Sequence, residues 1–363
     1  MTGSPRGETY LAVRYHETGG PERLRLERLP VPPVGPDEVL VRVRAATVNH
    51  LDLDMLAGTS RYPIRLPHTL GMEAAGVVER AGGAVTWPRP GDRVLVASDI
   101  VCGRCEACRA GNDNLCTDAY RPGWTHPGAY AELLLVPARG AYPIPDGVPD
   151  EQAAVAQVAL GTAWHMLFTR GGLQADEWVL VNGAGGGIGS AAVQLAKLAG
   201  ARVMAASASA RKRRRALADG ADAAADYGRP DFVEHVRRAT GGRGVDLVFE
   251  HVGGELFARS LECLRDGGRL VVCGAHGGER TTIDLVPFFR RELRVIGSNS
   301  VTQAEIARVL DLVARGRLRV PIAARFPLRR AAAALRFVAR RRHYGRTVLL
   351  PSALPASPRE VAA

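Results

Sequence analysis

The run Glu177–Ser207, EWVLVNGAGGGIGSAAVQLAKLAGARVMAAS, reads as strand, glycine turn, helix and second strand. The apolar run before the turn is too short for a helix and long enough for a buried strand. The residues after Ile188 follow helical spacing. Small residues from Gly183 to Gly189, Ala184, Gly186 and Gly187 among them, let backbone come close to a diphosphate, with Ile188 at the cofactor-binding start of the helix. The N-terminal dipole of the helix that starts near Ile188 then faces the anion. This context points to a dinucleotide site.

At the end of the second strand an NAD site places an acid for the ribose hydroxyls. This chain has Ser207 there, followed by Arg211 and Lys212. A carboxylate would repel a 2′-phosphate, whereas a hydroxyl and cations offer it charge-assisted bonds. The reading is therefore NADPH. The competing reading takes Arg211–Arg215 as the solvated start of a helix.

Working outward, the chain keeps alternating strands and helices after Glu151, through GVDLVFEHVG, GGRLVVCGAHGG and LRVIGSN, with a closing helix from Gln303 to Arg315. Continuous apolar strands between helices imply a doubly wound parallel sheet covered on both faces. From Thr9 to Gly140 the texture differs. Short β-branched runs such as VLVRVRAATVN, AAGVVERAG and AYAELLLVPA are broken by Gly and Pro, which predicts an irregular β domain. The tail from Arg319 returns to that first domain, and SALPASPREVAA reads as a disordered end. The predicted organisation is thus residues 1–152 with 318–363, and 153–317 between them.

Cys102, Cys105, Cys108 and Cys116 lie in VCGRCEACRAGNDNLC, one loop able to turn four thiolates toward one centre. Four sulfurs suit tetrahedral zinc, and a closed shell leaves no place for substrate, so the site is structural. An iron–sulfur cluster also takes four cysteines, but nothing else in the chain suggests electron relay.

Composition bounds the rest. Of 363 residues 46% are hydrophobic and 23% charged, ordinary values for a folded chain. Lys and Arg exceed Asp and Glu by 48 to 37, a net +11 that raises the question of nucleic acid. The arginines are scattered, and the dense runs Arg211–Arg215 and Arg340–Arg342 have no interleaved aromatics, so no nucleic-acid partner is expected. No stretch reaches the ~18 apolar residues of a membrane span and no signal-type core opens the chain, which predicts a cytoplasmic protein without a membrane partner.

Taken in order, LPHTLGMEAAGVVERAGG, the cysteine loop, GAYAELLLVP and GAGGGIG resemble the medium-chain dehydrogenase/reductase superfamily, from about Tyr10 to Pro351. Within it the chain is similar to the quinone oxidoreductase and enoyl reductase branch. The resemblance implies an α/β fold made of a GroES-like β-rich catalytic domain and a Rossmann domain, hydride transfer at their junction, and a homodimer through the strand in LRVIGSN. Relatives of the alcohol dehydrogenase type hold a catalytic zinc through Cys, His and Cys with a nearby Glu. Those positions here are Asn49, Met72 and Val158, with Glu73 kept. Amide, thioether and isopropyl groups are a poor zinc set.

The same resemblance implies Tyr62 as proton donor, Asn49 as polarising donor and Asp52 as the residue that orients their loop. It also implies Thr162 against the nicotinamide, Tyr227 near the adenine, Val252 with Gly253 under the ribose or ring, and Arg346 at the diphosphate. The expected activity is NADPH-dependent reduction of a small-molecule enoyl thioester, enone or quinone. Two alternatives are a zinc alcohol or aldehyde dehydrogenase with altered ligands, in which His50 or His68 improvises a site, and a relative that binds NADPH without turnover.

Overall fold

The structure, a computed structural model, describes residues 7–60 and 63–351. In chain order its first strands are β1 (Thr9–Arg14), β2 (Arg25–Pro30), β3 (Glu38–Val48), β4 (Ala74–Ala81), β5 (Arg93–Val96), β6 (Leu133–Pro137) and β7 (Ala141–Pro143). Then follow β8 (Trp178–Val181), β9 (Arg202–Ala206), β10 (Ala223–Ala225), β11 (Val245–Glu250), β12 (Leu264–Val272) and β13 (Arg294–Gly297). The last two are β14 (Ile322–Pro327) and β15 (Arg346–Leu350).

The chain divides into two units, Met1–Gln157 with Leu310–Arg315 and Ile322–Ala363, and Val158–Val309 with Gly316–Pro321. The expected divisions are 152/153 and 317/318; around the second the units interleave, with Leu310–Arg315 in the first and Gly316–Pro321 in the second. The first division falls inside a helical run that continues from Asp150 to Arg170, so no loop marks it.

In the first unit β14-β15-β3-β4-β5-β7 form one sheet with β6 also on β3, while β1 and β2 make a separate antiparallel pair. Strand β3 anchors the sheet because VLVRVRAATV buries nearly its whole length against β4, β6 and β15. In the second unit the order β10-β9-β8-β11-β12-β13 is parallel throughout. The sequence of β11, VDLVFE, is buried at every position, as expected for a strand covered on both faces. Leu180, Met204, Phe232, Val248 and Leu270 belong to the core cluster there. Chain order reverses between β8 and β11, so the crevice beyond their C-terminal ends is the topological switch point.

Both halves of the α/β reading, the β-rich GroES-like unit and the doubly wound Rossmann unit, are thus present. Among the described residues no helix is long and apolar enough to cross a membrane. Tyr62 and the tail SALPASPREVAA lie outside the described residues.

Candidate functional site

In the Rossmann unit, β8 ends at Val181 and the turn at Gly183 adopts φ +63°, a left-handed conformation that favours glycine. A Cβ on Gly189 would stand 2.3 Å from the Gly183 carbonyl oxygen, so helix and turn meet only because that carbon is missing. The helix Gly187–Leu198 has Gly186 as its N-cap and no side chain capping it. Its first N–H groups are therefore offered to a ligand, which fits a dinucleotide diphosphate. Ala184 is buried, while Gly186, Gly187 and Ile188 are half-buried along this edge. The turn's own amides are partly spent: Ala184 N–H donates to Ala206 O at 3.1 Å and Gly186 N–H to Gly183 O at 2.9 Å.

Ser207 is buried one residue past β9, and its hydroxyl accepts from Ser209 N–H at 3.2 Å. Ser209 caps the helix Ala210–Ala218 by accepting from Lys212 N–H. Arg211 is exposed on its first turn, whereas the Lys212 stem lies over the glycine turn: a Cβ on Gly185 would sit 2.4 Å from Lys212 Cδ. An acid that the sequence reading did not weigh, Asp226, also stands here. Arg213 pairs with it at 2.8 Å and donates to Ser207 O at 2.6 Å, so that carboxylate is neutralised from within the chain. Tyr227 and Val252 pack against the core cluster, and Thr162 is buried between two wide-turned helical stretches.

In the GroES-like unit the end of β3 and the helix His50–Ala57 build a buried polar knot. Asn49 N-caps that helix, and its backbone N–H donates to Asp52 Oδ2 at 2.8 Å. The Asn49 side-chain amide donates to Thr47 Oγ1 at 3.0 Å and to Glu73 Oε2 at 3.2 Å, and Thr47 Oγ1 donates to the same Glu73 oxygen at 2.5 Å. Both amide hydrogens are engaged, so Asn49 could donate to a substrate oxygen only by exchanging a partner. Glu73 is fully buried, and its charge is met by the guanidinium of Arg346 through Nη2. Arg346, expected at a diphosphate, is directed here at Glu73.

The positions that would hold a catalytic zinc do not fit one. Asn49 and Glu73 are tied to each other and to Arg346, and the remaining residue of this knot's motif, Met72, is a buried thioether. His68 is engaged elsewhere, its Nε2–H donating to Gly123 O at 3.0 Å, and His50 Nε2 accepts from Arg341 Nε at 3.1 Å.

Asp52 is fully buried and Tyr130 OH donates to its Oδ2 at 2.9 Å, while Oδ1 has no hydrogen-bond partner among the described residues. Burial pushes its carboxyl up to about 6, against bonds from Asn49 and Tyr130 that pull it down. The folded protein therefore holds the Asp52 proton more tightly than the unfolded chain. Its contribution to stability is complete below pH ~4 and is lost as pH rises through about 6, a change of roughly 3 kcal/mol. Asp52→Asn removes this dependence, so urea unfolding at pH 5 and 7.5 should show the variant gaining on the parent at the higher pH. A gap that is the same at both pH values refutes the assignment.

The four cysteines converge as read: their Sγ atoms lie within 4.8 Å of one another, a spacing that one ion could bridge. Cys105 and Cys108 sulfurs are 3.4 Å apart, and Cys102 and Cys108 sulfurs 4.0 Å. Thr47, Tyr130 and Asp226 are polar residues of the site that sequence reasoning missed. Tyr130 stands in the quoted phrase GAYAELLLVP, but nothing local ties it to Asp52, which is 78 positions away.

Comparison with known proteins agrees with this geometry. The alcohol dehydrogenase GroES-like domain model matches residues 35–146, and the zinc-binding dehydrogenase model matches residues 187–315. A quinone oxidoreductase of Pseudomonas aeruginosa is 32% identical over 348 residues, 93% of this chain and 99% of the relative. A solved NAD-dependent alcohol dehydrogenase superposes with a TM-score of 0.90 at 39% identity, covering 94% of this chain and 99% of that one. A 2-octenoyl-CoA carboxylase reductase in complex with NADP and 2-octenoyl-CoA gives a TM-score of 0.85 at 30% identity, over 95% of this chain and 88% of that one. With the glycine turn at a switch point, the cysteine lobe and the β-rich unit in place, the chain belongs to the medium-chain dehydrogenase/reductase superfamily and is one of its oxidoreductases.

Proposed function

We propose that this enzyme uses NADPH to reduce an activated double bond or carbonyl, in an enoyl thioester, enone or quinone, without a catalytic zinc. The observation that carries the reading is the Glu73–Arg346 pair, which meets with a guanidinium the charge that a metal would otherwise meet. NADPH, when bound, supplies the hydride. The chain's part is to hold it and to manage the proton.

The glycine turn and the uncapped helix Gly187–Leu198 would take the diphosphate, and Ser207, Arg211 and Lys212 the 2′-phosphate. Thr162, Tyr227 and Val252 would line the nicotinamide, adenine and ribose. Oxygen charge that builds as hydride arrives needs a donor. Tyr62 is our candidate, with Asp52 and Asn49 fixing the start of the helix that precedes it; an unchanged rate for Tyr62→Phe with a good acceptor removes it.

Arg211 and Lys212 carry the test of the cofactor. Replacing both with Ala should raise the KM for NADPH roughly tenfold to a hundredfold, the loss of one or two charge-assisted bonds, and leave that for NADH almost unchanged. Equal losses with both cofactors, or a parent enzyme that prefers NADH, overturn the reading. Two zinc ions per chain would favour the alcohol dehydrogenase alternative, and no oxidation of NADPH by any acceptor would favour the non-catalytic one.

A homodimer through β13 is part of the same proposal. This outer strand of the sheet leaves Val295 40% exposed, and the preceding helix exposes Leu285 and Phe289 at 67% and 63%. An apolar edge of that kind favours pairing with a second copy. A single-chain mass in sedimentation equilibrium contradicts it. None of the six cysteines is in a disulfide, and this suits a reducing, cytoplasmic setting.

A further inference from the structure

Glu250, the last residue of β11, is fully buried at the switch point and plays no part in the site described above. Its Oε1 accepts from Val252 N–H at 2.5 Å and Gly253 N–H at 2.8 Å. Its Oε2 accepts from the Asn182 amide, at the end of β8, and from Ser260 Oγ at 3.5 Å; Asn182 also donates to Ser260 at 2.7 Å. One carboxylate thus ties the ends of the two strands that flank the crevice.

The loop it holds is in turn fastened to the next strand end. Gly254 N–H donates to Gly278 O at 2.9 Å and Gly277 N–H to Val252 O at 2.6 Å. Gly253 and Gly254 take φ +81° and +61°, and a Cβ on either would meet a carbonyl oxygen within 2.7 Å.

Every donor to Glu250 is neutral. Among the described residues no cation pairs with it, and the adjacent His251 is held uncharged, its pKa lowered to about 4 by burial. Burial raises the Glu250 carboxyl, and Gly253, Asn182, Val252 and Ser260 pull it back. An unpaired buried carboxylate is costly, and a glutamine would remove that cost. What distinguishes the carboxylate is its negative charge, placed under the loop assigned to the nicotinamide side of the cofactor.

We propose that Glu250 is a positioning residue that sets the Val252–Gly254 loop and biases the site toward the oxidised, cationic nicotinamide over the reduced, neutral one. A site of that kind favours loss of hydride from the cofactor. The proposal rests on the dinucleotide reading of this crevice.

The test is equilibrium binding of NADP⁺ and NADPH to the parent enzyme and to Glu250→Gln. The ratio of the two dissociation constants should move against NADP⁺ by about threefold to tenfold in the variant, the effect of one charge at moderate range in a protein environment. A structural role alone weakens both forms equally, and that result overturns the proposal. Should the variant not fold, the parent decides: NADPH bound tenfold or more tightly than NADP⁺ also overturns it. If the enzyme instead takes NAD(H), the 2′-phosphate assignment fails, while the oxidised-to-reduced ratio is still read on NAD⁺ and NADH.

Discussion

Cys105→Ser should lower the zinc content from one ion per chain to near none and reduce the melting temperature by on the order of 10 °C. The lobe from Cys102 to Cys116 has almost no interior of its own; its short helix Glu106–Arg109 buries no residue and the following turn buries only Asn114. What gathers it is sulfur. Cys102 Sγ accepts from the N–H groups of Arg104 and Cys105 at 3.5 and 3.4 Å, and Cys116 Sγ accepts from Cys102 N–H at 3.3 Å. Such bonds favour thiolates, but four thiols this close cannot all ionise unless a cation compensates them: Cys108 is pushed up by burial and by its bond with Cys105. Closed four-thiolate sites contribute roughly 10 kcal/mol or more to small zinc domains. Here only a lobe would depend on the ion, so a net loss of about 3–5 kcal/mol is expected, at ~2–4 °C per kcal/mol if the GroES-like unit unfolds by itself. Elemental analysis and a thermal melt measure both quantities. Zinc-free parent protein, or a serine variant that keeps its zinc and its melting point, refutes the assignment. Iron with visible absorbance would point to the cluster alternative.

The features legible in the sequence are those whose physics is local. A glycine turn between a buried strand and a helix, and four cysteines in one loop, need only neighbours in the chain, so Gly183–Gly189 and Cys102–Cys116 could be read directly. The parallel sheet followed from the apolar texture of segments such as VDLVFE. Pairings across the fold were not legible. Arg346 meets Glu73 across 273 positions because β15 and β4 both flank β3, and Tyr130 meets Asp52 across 78. Nothing near Arg346 separates a diphosphate ligand from a partner for a buried acid. Nothing near Arg213 reveals that it is spent on Asp226 while Lys212 reaches over Gly185.

Arg346→Met should cost about 3–5 kcal/mol, because it removes one member of a buried ion pair and leaves the other in place. Glu73 is fully shielded from water and Arg346 is 7% exposed, so solvent cannot take over the charge. Thr47 and Asn49 would remain as neutral donors to the same Glu73 oxygen, which falls short of replacing a guanidinium. Chemical denaturation of the variant beside the parent measures the size of that loss. Adding Glu73→Gln to the variant should recover most of the loss, since no bare charge is left behind, whereas independent contributions would simply add. The zinc count decides what the pair stands for. If Arg346 supplies the cation that a metal supplies in zinc-dependent relatives, the single variant still carries one zinc per chain, in the cysteine lobe. A second zinc in the parent, lost along with Glu73, would show that the knot around Asn49 is a metal site after all.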